Sequence, residues 1–170
     1  MTTLYLMVGY PGAGKTTAAQ ILHNLTGAEH LWADHIRKEQ FQAPTYSQQE
    51  SNQLYEQMNK QTEALLKQGK SVIFDTNFNF YKDRQKLRQI AELAAAKTVL
   101  IWVQAPRQVA KQRATTNAHQ QDSRVLGNMT DQDFDRLSNH LEEPQPDEHA
   151  IVLDGTNLTK EQISSAVLNN

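Results

Sequence analysis

Short apolar runs and amphipathic stretches alternate along this chain from one end to the other. The first run, Leu4-Tyr5-Leu6-Met7-Val8, has the length of a strand buried on both faces. Behind it Ala18, Ile21, Leu22 and Leu25 recur at helical spacing until Gly27 supplies a stop. His30-Leu31-Trp32-Ala33 reads as a short second strand ending at Asp34, and a helical turn through Ile36 and Phe41 is broken at Ala43-Pro44-Thr45. Ser47-Gln48-Gln49-Glu50 has the form of a capping box, opening a helix that carries Leu54, Met58 and Leu65 and stops at Gly69. Val72-Ile73-Phe74 predicts a buried strand that delivers Asp75 at its C-terminal end, and Leu87, Ile90, Ala91 and Ala94 mark the next helix.

Residues 99–103, Val-Leu-Ile-Trp-Val, form the most hydrophobic strand candidate. Pro106 suits the first turn of a helix running through Val109 and Ala110 towards Arg113. Thr130 caps a helix bearing Phe134, Leu137 and Leu141, and Pro144 and Pro146 lead to a last strand over 150–153. After an Asp154-Gly155 turn, Thr159 caps a final helix with Ile163, Ala166 and Val167. Strand and helix in strict alternation predict an α/β domain, a mostly parallel sheet of five strands with helices on both faces. The one interruption is 115–128, polar and aperiodic, which reads as a mobile loop and, with its flanks, as a lid over about 113–129. No linker or repeat divides the chain, so residues 1–170 are read as one domain.

Bulk properties mainly exclude. The formal charge is −2, which provides no general field for nucleic acid, although a local basic groove remains open. There is no cysteine, hence no disulfide, thiolate metal site or cysteine nucleophile. The six histidines show neither i,i+4 pairing nor acidic clustering. The run over 4–8 is too short for a signal peptide or a membrane span, and a cytoplasmic protein with no membrane partner is expected. Trp32 and Trp102 lie in strand-like runs and are read as core.

Gly9-Tyr10-Pro11-Gly12-Ala13-Gly14-Lys15-Thr16-Thr17 fits the phosphate-binding (Walker A) pattern G-x-x-x-x-G-K-[ST], with a strand before it and a helix after it. In such a loop backbone N–H groups and the helix N-terminus wrap a polyphosphate. Lys15 would reach the β- and γ-phosphates, and the Thr16 hydroxyl would sit on Mg²⁺. ATP and Mg²⁺ are therefore the expected cofactors, on the fold of a P-loop NTPase, a three-layer sandwich. Ligands of open parallel sheets lie outside the carboxyl ends of the strands, where Asp34 and Asp75 also fall. Asp75 reads as a metal or substrate ligand. Asp34 reads either as an N-cap or as the base that takes a proton from an attacking hydroxyl, with Arg37 one turn on. Arg113 and Arg124 are the lid cations expected to meet the migrating charge, Arg107 being the weaker candidate. Arg84 and Arg88, one turn apart, read equally as ligands of a substrate phosphate or as a solvated face.

Three blocks, 9–17, Ala33-Asp34-x-x-Arg37, and 72–79 with its Asp75-Thr76-Asn77-Phe78-Asn79 end, resemble the P-loop kinases related to the polynucleotide kinase 5′-hydroxyl kinase domain and the zeta-toxin kinases. The stretch from Leu141-Glu142-Glu143-Pro144 to Asp154-Gly155-Thr156 resembles them more loosely. The resemblance implies a central phosphate-loop strand, Mg-ATP as donor and a hydroxyl as acceptor. It makes Lys15 and Thr16 the phosphate and magnesium ligands and Asp34 the general base. It gives Arg37 an acceptor-side phosphate, and Asp75, Thr76 and Asn77 the acceptor-side strand end. Arg113 matches a first lid arginine. The position four residues on, arginine in many such kinases, is Asn117 here, leaving Arg124 as the substitute. The expected activity is transfer of the γ-phosphoryl group to a hydroxyl on a nucleic-acid 5′-end or a small molecule. The rival expectation is a nucleotide-dependent switch or ATPase acting with a protein partner.

Overall fold

The computed structural model describes residues 1–45, 47–77, 80–117 and 125–169. Its five strands are β1 (Thr3–Val8), β2 (Glu29–Trp32), β3 (Val72–Asp75), β4 (Lys97–Gln104) and β5 (Ile151–Asp154). They form one sheet in the order β2-β3-β1-β4-β5, and every pairing is parallel. The phosphate-loop strand is central, as the resemblance implied. The helices are α1 (Lys15–Thr26), α2 (Ala33–Gln40), α3 (Gln48–Lys67), α4 (Tyr81–Leu93), α5 (Arg107–Thr115), α6 (Asp131–Asn139) and α7 (Lys160–Ile163).

The continuous apolar runs are explained by burial on both faces. Leu4, Leu6 and Val8 of β1 pack with Val72, Phe74 and Leu100 against Leu54, Met58 and Leu66 of α3 and Leu87 and Ala91 of α4. The alternate residues Tyr5 and Met7 pack with Ile73, Ile101 and Val103 against Ala18, Ala19 and Leu22 of α1 and Ile163 of α7. Each run thus divides its side chains between two cores at the two-residue period of a strand. Ala110, Ala114 and Phe134 form a smaller cluster where α5 meets α6.

Several expectations need correction. The second strand ends at Trp32, and Ala33 and Asp34 already belong to the first turn of α2. Pro106 stands at the N-cap of α5, not inside its first turn. Leu141 follows the end of α6. Trp32 is only half-buried and lines a cleft, whereas Trp102, also half-buried, packs against the core as expected and borders a hollow as well. The middle of the expected lid, 118–124, lies outside the described residues. Among the described residues no helix is long and apolar enough to cross a membrane.

Candidate active site

Parallel register brings the strand ends to one rim. Trp32 pairs with Asp75, Asp75 with Met7, and Val8 with Trp102, so the chain leaves β1 at Gly9 directly beside the end of β3, with the end of β2 one strand further along the rim. The loop then turns tightly, with Ala13 N–H donating to the Tyr10 carbonyl at 3.0 Å, and Gly14 in the left-handed region opens α1. Gly12, at φ 77°, packs so closely on α5 that a Cβ would overlap the Ala110 carbonyl oxygen. Gly155 makes the reciprocal contact from the end of β5, where a Cβ would overlap the Ala13 carbonyl oxygen. Two backbones are therefore braced against the loop, and only glycine allows that approach.

Lys15 is buried, and its Nζ donates to the carbonyls of Gly9 at 2.9 Å and Tyr10 at 2.8 Å. Pro11, Gly12, Gly14, Lys15 and Thr16 form one side of a cleft, and Trp32, Ala33, Asp34, Asp75, Thr76 and Asn77 form the other. Thr17 is exposed to solvent. Tyr10 borders a separate hollow on the β4–β5 side, together with Trp102, Val152 and Leu153.

Asp75 is buried, and its Oδ2 lies 3.0 Å from His30 Nε2, whose ring stacks on Trp32 at 5.8 Å between centroids. Thr76 is buried too, and its hydroxyl donates to the Tyr55 hydroxyl at 3.1 Å. Burial pushes the Tyr55 phenol above its ordinary range, so it remains a neutral hydrogen-bonding group. Neither His30 nor Tyr55 was expected from sequence. Each meets its partner across elements, 45 and 21 residues away, and only the strand register and the packing of α3 bring them together.

A second, larger cleft of about 720 Å³ opens between α3, α4 and α6. Ala33, Asp34, Thr76 and Asn77 line both clefts, so Asp34 stands where they join. Arg37 lines the larger one but is itself buried, and it forms an ion pair with Glu50. Glu50 was expected to complete a capping box. Ser47 does cap α3, accepting from the Glu50 N–H at 3.2 Å, while the Glu50 carboxylate turns to Arg37 and to the N–H and hydroxyl of Thr45. Burial alone would raise the Glu50 carboxyl, but these donors outweigh it and hold it below the usual range.

Arg113 Nη1 donates to the Gly155 carbonyl at 2.9 Å, which sets it beside the phosphate loop but in neither cleft. Arg124 lies outside the described residues, as do Phe78 and Asn79. Arg107 bonds Asp135 and Asn139 of α6. Arg84 and Arg88 are neither phosphate ligands nor a solvated face: Arg84 is sealed against Glu148, and Arg88 donates to the Glu148 carbonyl. For Mg²⁺ the residues present fit, since the Thr16 hydroxyl and the Asp75 carboxylate are oxygen donors gathered on one cleft beside Lys15.

The model of a family described as an AAA domain matches residues 4–144, and the chain belongs to that family. No curated protein matches the chain. Among solved structures it is similar to a sugar kinase from Janibacter sp., at 21% identity and a TM-score of 0.72 over 99% of this chain and 94% of that one. A putative kinase from Chloroflexus aurantiacus is similar at 19% identity and a TM-score of 0.76, over 99% and 97%. The APS kinase of Mycobacterium tuberculosis, solved with AMPPNP and APS, is similar at 15% identity and a TM-score of 0.68, over 99% and 98%. These likenesses establish the fold, an α/β P-loop architecture shared with kinases.

Proposed function

We propose that this member of the AAA-domain family is an ATP-dependent kinase that transfers the γ-phosphoryl group to a hydroxyl of an acceptor held in the larger cleft. The observation that carries the reading is the position of Asp34, which lines both the phosphate-loop cleft and the larger one. A base at that junction can face a bound acceptor hydroxyl and the terminal phosphate at once. The resemblance to polynucleotide kinase and zeta-toxin kinases, and the fold shared with proteins named as kinases, support it.

In this reading the loop N–H groups and Lys15 hold the phosphates, with Lys15 exchanging its carbonyl partners for phosphate oxygens. Thr16 and Asp75 would hold Mg²⁺, which supplies neutralising charge on the phosphates when bound. The acceptor oxygen forms a bond to the γ-phosphorus, the bond to the bridging oxygen breaks, ADP leaves, and the acceptor proton passes to the Asp34 carboxylate. Thr76 and Asn77 orient the acceptor, Arg37 borders its site, and Arg113 with Arg124 meets the transferring charge. Asp34→Asn tests the assignment. Transfer is expected to fall by roughly 10²–10⁴-fold, the usual contribution of a general base, with nucleotide affinity unchanged. Full activity in that variant, measured with γ-labelled ATP, would show that Asp34 is not the base.

A further inference from the structure

The larger cleft has the wrong electrostatics for an anionic acceptor. Its cationic side chains are Arg37, Lys86 and Arg136, and its acidic ones are Asp34, Glu56 and Asp83. Two of the three cations are already met by carboxylates outside the lining, Arg37 by Glu50 and Arg136 by Asp133 at 3.0 Å. Of the acids, Glu56 is likewise met from outside the lining, by Lys60 at 2.7 Å, which leaves Lys86 with Asp34 and Asp83. Helix N-termini are the other common anion sites, and those of α3 and α4 are engaged. The Tyr81 N–H at the start of α4 donates to Glu142 Oε2 at 2.7 Å, and the Glu50 N–H at the start of α3 donates to Ser47.

What the cleft offers instead is neutral hydrogen bonding. Gln48, Ser51, Asn52, Tyr55 and Asn59 recur at three- and four-residue spacing and form one stripe of α3 along its wall. Carboxamides and hydroxyls both donate and accept, as a hydroxyl ligand requires, whereas phosphate and carboxylate ligands need donors only. Phe80 and His140, with ring centroids 6.3 Å apart, add apolar surface for C–H faces. The volume falls within the roughly 300–1,000 Å³ of small-ligand sites. We propose that the acceptor is an uncharged, polyhydroxylated small molecule of saccharide type, an inference that rests on the kinase reading above.

The test pairs two readouts on the intact chain, transfer of label from γ-labelled ATP and ligand binding by saturation-transfer NMR. Three sets of probes are compared: uncharged mono- and disaccharides and polyols, the same sugars carrying phosphate or carboxylate, and 5′-hydroxyl oligonucleotides. Label and binding are expected on the uncharged set. Asn52→Leu, and separately Asn59→Leu, should raise the acceptor KM by roughly tenfold, the worth of a lost hydrogen bond, with the KM for ATP unchanged as a check on folding. Label confined to anionic sugars or oligonucleotides overturns the inference and leaves the kinase reading standing. Binding of uncharged sugars with no label on any probe supports the ligand class and overturns the kinase reading. Neither binding nor label on any probe overturns both.

Discussion

Among the described residues two arginines are buried against a glutamate, and their surroundings give them different work. Arg84 and Glu148 are both fully buried, joined through Nε–Oε1 and Nη2–Oε2 contacts of 2.7 Å, with Arg84 Nη1 also donating to the Glu142 carbonyl at 3.0 Å. That pair ties α4 to the turn before β5 and borders none of the clefts described. Arg37 and Glu50 are almost as deeply buried, but Arg37 forms part of the wall of the larger cleft. The same two residue types paired in a buried place are a structural fastening in one case and, in the proposed reading, a means of setting the charge of a ligand site in the other.

The sharpest way to break the comparison is to remove one partner of the sealed pair. Glu148→Ala leaves the Arg84 guanidinium buried without its carboxylate, and a loss of about 3–5 kcal/mol in unfolding free energy is expected in urea titrations. The double variant Arg84→Met with Glu148→Leu should recover most of that loss, because removing both charges also removes the desolvation cost. In neither protein should the acceptor KM change. A changed acceptor KM with normal stability would place the pair in the site.

A smaller effect should come from Glu50→Gln, and it should appear in specificity. The substitution keeps the shape of the side chain and releases the Arg37 charge into the cleft. Preference for anionic over uncharged acceptors, read as the ratio of kcat/KM values, should rise roughly tenfold, about 1.4 kcal/mol. Glu148→Gln should leave that ratio alone. An unchanged ratio in Glu50→Gln would mean that Arg37 does not set the charge of the cleft.

The difference between the two pairs was invisible in sequence, although much else was legible. The strands were readable because each is buried on both faces, and the phosphate loop because its chemistry is local: nine consecutive positions carry it. The caps at Thr130 and Thr159 form as their spacing implied, each hydroxyl accepting an N–H three residues on. Counter-ions are another matter. Glu148 lies 64 residues from Arg84, and Glu50 was hidden inside a capping signature that it half fulfils. His30 reaches Asp75 only because β2 and β3 pair in one register. Contacts fixed by register and by the packing of distant helices leave no mark at short sequence spacing.

The smallest effect is a pH dependence. Glu50 is held below its ordinary range in the folded state, so between its unfolded value of about 4.3 and its lower folded value the unfolded chain binds a proton that the folded chain does not. The stability from its ionisation is therefore complete above about pH 4.3 and is lost as pH falls through the folded value. Asp133, Asp135 and Asp154 are also lowered, by hydrogen bonds from neighbouring side chains, and steepen the acid limb of both proteins. Subtracting the stability of Glu50→Gln from that of the natural protein cancels those shared groups and leaves Glu50. The difference should be largest near neutrality and shrink on acidification below about pH 4.3. A difference independent of pH would mean that Glu50 contributes through shape and hydrogen bonding alone, and that Arg37 draws nothing from its charge.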